Sequence, residues 1–163
     1  MNNMSKWDLR FMNMAREVSM WSKDPSKKIG AVAVGDNHRV LSTGYNGFPR
    51  GIQDLQTRLE TRELKYKYVV HAEQNCIYNA CFNGISLAGA TLYVSGLPVC
   101  SECAKGVIQV GISTVVIDES AFDIPKWNES FELTKELFGE AGIKIKYVNL
   151  LKSMASSWET IRI

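Results

Sequence analysis

Histidine is nearly absent from this chain, whose 163 residues carry only His38 and His71. Cysteine is sparse too, with four residues and none before Cys76. No apolar run reaches the ~18 residues that a membrane span requires, and the first residues, MNNMSKWDLR, lack the apolar core of a secretory signal. A cytoplasmic location is therefore expected, where reduced thiols are the default and a C-x-x-C pair points to metal or redox work before a structural disulfide. Charge of one sign is also missing. A net charge of +2 and a pI near 8.3 fall short of the concentrated positive field of a dedicated nucleic-acid binder, and a small anionic substrate is the easier reading. Internal repeats and low-complexity segments are absent. With 45% hydrophobic residues, the length suits one domain over residues 1–163 and is too short for two ordinary ones.

Apolar residues recur at Trp7, Phe11, Met14, Val18 and Trp21, with Ser5 and Asp8 placed as an N-terminal cap, which predicts an amphipathic helix ending at Asp24-Pro25. Residues 29–34 and 40–45 read as a hairpin around Gly35-Asp36-Asn37, with Gly30 allowing close approach of a backbone or ligand. The stretch Gly44-Tyr45-Asn46-Gly47-Phe48-Pro49-Arg50-Gly51 reads as a constrained loop. Residues 54–68 are dense in charge and read as an exposed helix or loop, either a solvated face or an interface. Helices are expected over 72–83, 101–110 and 129–141, alternating with strands at 90–94, 114–117 and 143–148. A hairpin followed by helix–strand alternation predicts an α/β sandwich on a mixed sheet whose later strands run parallel. A short helix carrying Trp158 is expected at the end.

Chemistry concentrates in His71-Ala72-Glu73 and Cys100-Ser101-Glu102-Cys103. One imidazole and two thiolates suffice to hold a tetrahedral Zn²⁺ with its fourth position open, the mark of a catalytic site. Glu73 is best left off the metal as an acid/base. Alone, the C-x-x-C could be a redox pair and His71 a cap. A structural zinc site using Cys76 and Cys81 is the rival, but five residues on a helix separate them by ~140°, and both read better as small buried apolar residues. His38 reads as exposed and inert. Tyr45, Phe48, Phe122 and Trp127 are each candidates for the core. Arg50 extends from a constrained loop and is a candidate for touching an anion.

H-x-E followed by C-x-x-C is the general pattern of zinc-dependent base deaminases. Together with Gly44-Tyr45-Asn46-Gly47, Pro49, Gly51, the run Lys65-Tyr66-Lys67-Tyr68-Val69-Val70 before His71-Ala72-Glu73-Gln74-Asn75, and Cys103-Ala104-Lys105, it makes residues 5 to 148 resemble the deoxycytidylate (dCMP) deaminases. The resemblance implies a three-layer α/β/α cytidine-deaminase-like fold with a mixed five-stranded sheet. It also implies hydrolysis of dCMP to dUMP and ammonia in a homohexamer, activated by dCTP with Mg²⁺ and inhibited by dTTP. Residue by residue it implies zinc on His71, Cys100 and Cys103, proton transfer by Glu73, and substrate contacts from Asn46, the Ala72 amide and Phe122. Gly44, Tyr45, Gly47 and Arg50 are implied in effector or phosphate binding, with Arg50 open to either. Val99, between Pro98 and Cys100, departs from the pattern in which proline directly precedes the first zinc cysteine. A second zinc, which some relatives build from early His and Cys residues, is not expected. A deaminase acting on cytidine or on adenosine in tRNA, and a nucleotide sensor without catalysis, stay open as alternatives.

Overall fold

A computed structural model describes residues 4–121 and 128–153. Five strands form one sheet in the order β2-β1-β3-β4-β5: β1 (Gly30–Val34), β2 (Val40–Tyr45), β3 (Thr91–Ser95), β4 (Thr114–Asp118) and β5 (Lys144–Val148). β1 is antiparallel to β2 and β3, whereas β3, β4 and β5 run parallel. Helix α1 (Lys6–Ser19) covers one face; the other carries α4 (Ala72–Phe82), α5 (Ser101–Gln109) and α6 (Asn128–Ala141). Between β2 and α4 run two short helices, α2 (Gln56–Glu60) and α3 (Arg62–Tyr68). This is the expected three-layer α/β/α arrangement on a mixed five-stranded sheet.

The sequence of β1, Gly-Ala-Val-Ala-Val, is buried throughout, as befits a strand covered on both faces. Ala31 and Ala33 belong to the core beneath α4 and α5, and Val32 and Val34 to the core beneath α1. The edge strand β5 carries Lys144 and Lys146 at exposed positions, and charge on an edge discourages pairing with further strands. Among the described residues, no helix is long and apolar enough to cross a membrane.

Helix α1 begins with a capping box in which Asp8 N donates to Ser5 Oγ (3.0 Å) and Ser5 N donates to Asp8 Oδ2 (3.0 Å), satisfying two otherwise unpaired amides. Its end is earlier than expected, at Ser19. The next three amides fold back onto carbonyls three residues earlier, and Ser22 Oγ donates to Asn46 O at 2.7 Å, drawing the chain off the helical path. Trp21, which continued the apolar spacing, is 57% exposed and stands edge-on to Tyr45. Gly30 has the expected close neighbour: a Cβ there would meet Ala15 O of α1 at 2.0 Å. Residues 150–153 are helical, and the rest of the terminal helix expected there, with Trp158, lies outside the described residues.

Candidate active site

The sheet reverses direction between β1 and β3, where Gly30 pairs with Ser95, and Gly30 also pairs with Tyr45. The start of β1 and the ends of β2 and β3 therefore share one rim, the position where open α/β sheets gather ligands. Two helices begin on this rim. His71 is the N-cap of α4 (φ −68°, ψ 155°) and Cys100 the N-cap of α5 (φ −74°, ψ 160°). N-cap side chains ordinarily accept a hydrogen bond from the first helical turn, but neither does so here. Both turn towards each other and towards Cys103.

Each position is anchored from behind. Gly47 and Val70 form an isolated antiparallel bridge, with Val70 N donating to Gly47 O at 2.8 Å and Gly47 N to Val70 O at 3.1 Å, which aims the chain into His71. Helix α4 is tied to β2 by Asn75 Nδ2 to Tyr45 O (2.8 Å), Asn79 Nδ2 to Thr43 O (2.7 Å) and Ser42 Oγ to Cys76 O (2.7 Å). A Cβ at Gly44 would lie 2.2 Å from Cys76 N and 2.4 Å from Ala72 O, so only glycine lets β2 approach the first turn of α4. The start of α5 is held by α6: Ser101 N donates to Ser130 Oγ (3.0 Å), and Thr134 Oγ1 to Val99 O (2.9 Å). Val99 is fully buried while Pro98 lines the cavity described below. The residue that departs from the family pattern thus packs into the core and leaves the proline at the site.

His71 Nδ1 lies 3.4 Å from Cys100 Sγ and 3.4 Å from Cys103 Sγ, and the three donors lie within 4.8 Å of one another. Tetrahedral ligands at about 2.3 Å for sulfur and about 2.0 Å for imidazole nitrogen are about 3.5 Å apart. The donor set therefore fits Zn²⁺ in both chemistry and spacing. Cys76 is buried and Cys81 is exposed, which corrects the expectation that both are buried and leaves neither with the metal donors.

The hydrogen bond from Cys103 pushes the Cys100 thiol down to about 4, with His71 reinforcing the shift; Cys103, which keeps that proton, is pushed up. The sulfur of Cys100 raises the His71 pKa. Glu73 is 3% exposed, and burial, aided by the negative sulfur of Cys100, pushes it up to about 7. A carboxyl so placed is able both to take and to give a proton near neutrality.

His71, Glu73 and Cys100 line a cavity of about 340 Å³, with Cys103 buried behind them. Its lining also includes Asn46 and Ala72, two of the expected substrate contacts. Asn46 accepts from Ile29 N (2.8 Å) and donates to Lys27 O (2.9 Å). The rest of the wall includes Asp24, Ser26 and Lys27 of the turn after α1, Glu60 at the end of α2, and Arg62, Lys65 and Tyr66 of α3. Of the charged 54–68 stretch, then, part faces the cavity, and Lys65 is only 5% exposed. Arg50 is not brought there: it bonds to the Asn79 side chain and lies over the Phe82 ring on the outer side of α4. Tyr45 and Gly47, with Phe48, border an adjoining cleft of about 80 Å³ that shares Asp24, Asn46, Lys65 and Val69 with the larger cavity. Phe122 and Trp127 lie outside the described residues. His38 is exposed, as expected, and stacks on Trp7 at 3.9 Å.

Three side chains able to hold zinc at two helix N-termini, with a buried carboxyl beside them, have the composition of a hydrolytic zinc site. The cytidine and deoxycytidylate deaminase zinc-binding region matches residues 5–119. An uncharacterized deaminase from Aliivibrio fischeri is 39% identical over 147 residues, covering 90% of this chain and 96% of that protein. The deoxycytidylate deaminase of Homo sapiens is 36% identical over 148 residues, covering 86% and 79%. The crystal structure of the dCMP deaminase from cyanophage S-TIM5, in complex with dCMP and dUMP, superposes with a TM-score of 0.67 at 23% identity, covering 85% and 94%. The chain belongs to the cytidine and deoxycytidylate deaminase family.

Proposed function

We propose that this protein is a cytoplasmic dCMP deaminase that converts dCMP and water to dUMP and ammonia. The observation that carries this reading is the gathering of His71, Cys100 and Cys103 within 4.8 Å of one another, with His71, Cys100 and the Glu73 carboxyl on one cavity whose lining also includes Lys27 and Arg62. Zinc held by His71, Cys100 and Cys103 supplies, when bound, a water acidic enough to attack near neutral pH. Glu73 takes the proton of the attacking water and passes it to ring nitrogen N3 as the new bond forms at C4. It then takes the water's second proton from the oxygen now on C4 and delivers it to the amino group, so that the C4–N bond breaks, C4 becomes a carbonyl and ammonia leaves. The Ala72 amide, at the first turn of α4, and Asn46 orient the base and sugar. Ser26, Lys27 and Arg62 provide donors suited to a 5′-phosphate.

Regulation by dCTP with Mg²⁺ and by dTTP, in a homohexamer, completes the proposal. It is supported by the resemblance of the Gly44–Gly51 loop, where Tyr45 and Gly47 border the smaller cleft and Arg50 lies outside the larger one. The test is ammonia release from dCMP, deoxycytidine and dCTP by zinc-loaded protein, with and without the two triphosphates. Turnover confined to dCMP and altered by the triphosphates is expected; zinc-loaded protein inactive on all three refutes the reading. Glu73→Gln is expected to keep its zinc and lose about 10²- to 10⁴-fold in kcat, the ordinary contribution of a general acid/base.

A further inference from the structure

The only salt bridge on the cavity wall among the described residues joins Lys65 of α3 to Asp24, 41 positions earlier, at 2.9 Å, and both side chains are at least nine-tenths buried. Lys65 Nζ also donates to Ser26 Oγ at 3.1 Å. Asp24 in turn organises the turn that follows it: its Oδ1 accepts from Ser26 N (2.8 Å) and Lys27 N (3.2 Å), and its Oδ2 lies 3.5 Å from Asn46 Nδ2. Asn46 holds the next residues through Lys27 O and Ile29 N. One carboxylate therefore fixes the backbone of the two residues, Ser26 and Lys27, that line the same cavity as His71 and Cys100, and one ammonium ties that turn to α3. Helix α3 leads through Val69 and Val70 directly into His71.

We infer that Lys65 and Asp24 are a positioning pair, which sets the placement of the Ser26–Lys27 turn relative to the zinc and Glu73 groups and thereby the affinity for the phosphorylated end of the substrate. The inference rests on the dCMP reading above. Two features favour positioning over direct phosphate binding by Lys65. Two of its three N–H donors are already engaged with the turn, and its charge is neutralised by a carboxylate that an incoming phosphate would have to displace. Burial makes the pair sensitive: with either partner removed, the other is left as an unpaired charge on the cavity wall, and the turn loses its tie.

The test is calorimetric binding of dUMP and of deoxyuridine to zinc-loaded wild type, Lys65→Met, Lys65→Arg and Asp24→Asn, with kcat and KM on dCMP measured in parallel. Asp24→Asn keeps an oxygen to accept from the turn amides but removes the ion pair. Lys65→Met and Asp24→Asn are both expected to weaken dUMP by about tenfold or more, the scale of a charge-assisted hydrogen bond, while deoxyuridine changes less. KM for dCMP should rise more than kcat falls, and Lys65→Arg should recover most of the loss. If Asp24→Asn binds dUMP as tightly as wild type or more tightly, if dUMP and deoxyuridine weaken equally, or if both variants fail to fold, the pair is not a positioning device. Binding involves no chemical step, so wild type that binds dUMP without releasing ammonia from dCMP would fail the deaminase reading and leave this inference to be decided by the variants.

Discussion

Gly44→Ala should damage the active site from behind. The added Cβ would start 2.2 Å from Cys76 N and 2.4 Å from Ala72 O, where an ordinary contact begins near 3.4 Å. Both atoms are backbone, so no side chain is able to rotate away, and β2 and the first turn of α4 must part by about 1 Å. That turn carries Ala72 and Glu73, and a misplacement of about 1 Å in a catalytic group costs about 10²-fold in rate, equivalent to about 2.7 kcal/mol of transition-state stabilisation. Overpacking should also lower stability by about 1–3 kcal/mol. The assay is kcat/KM for ammonia release from dCMP, paired with zinc content and urea unfolding on the same samples. The expected result is bound zinc, reduced stability and a kcat/KM down about 10²-fold. Unchanged kcat/KM, even in a destabilised variant, would refute the idea that this glycine sets the position of Glu73. A change only in the response to dCTP or dTTP would instead make Gly44 an effector-loop residue.

Three further outcomes are expected. Arg50→Ala should leave KM for dCMP within about twofold, because the side chain lies over Phe82 outside the large cavity and exposed charges contribute little; a tenfold rise would place it on the substrate. Cys103→Ser should abolish tight zinc binding and turnover together, read by metal analysis and ammonia release, since a hydroxyl is a poor replacement for a thiolate donor. Burial works against the charge of Asp8, but hydrogen bonds from Lys146, Ser5 and Tyr93 outweigh it and hold the carboxyl below its usual range. A depressed carboxylate stabilises the fold above its unfolded pKa of about 3.9 and loses that contribution as pH falls through the folded value. Asp8→Asn should therefore cost about 1–2 kcal/mol near pH 7, with the difference from wild type closing below about pH 4 in thermal unfolding.

The metal donors were legible because their residue types are chemically restrictive and helix signals bracket them: few side chains other than His and Cys build such a site. The capping box of Ser5 and Asp8 and the close packing at Gly30 were legible because both are local rules. Lys65 was not, since its partner Asp24 is 41 residues away and a lysine in a charged run resembles its solvated neighbours until the chain folds back. The end of α1 was misjudged for a similar reason. The apolar spacing runs on to Trp21, but the hydrogen bond from Ser22 to Asn46 O belongs to tertiary structure and overrides it. Ser130 and Thr134, which hold the Cys100 turn from α6, carry no signature beyond being hydroxyls at helical spacing. Cys81 shows the limit of composition: residue type favoured the interior, and its place on α4 put it outside.

The reversal of strand direction at β1 and β3 divides the molecule into a working rim and an opposite rim. The opposite rim contains the 36–38 turn, the end of α4 at Asn83-Gly84 and the end of α5 near Gly111. A Cβ at Gly84 would meet nothing within 4 Å. Protein engineers thus have a ready attachment point at Gly84: a reporter domain or immobilisation tag spliced there would project from the rim facing away from His71, Cys100 and Cys103, leaving the mouth of the cavity clear.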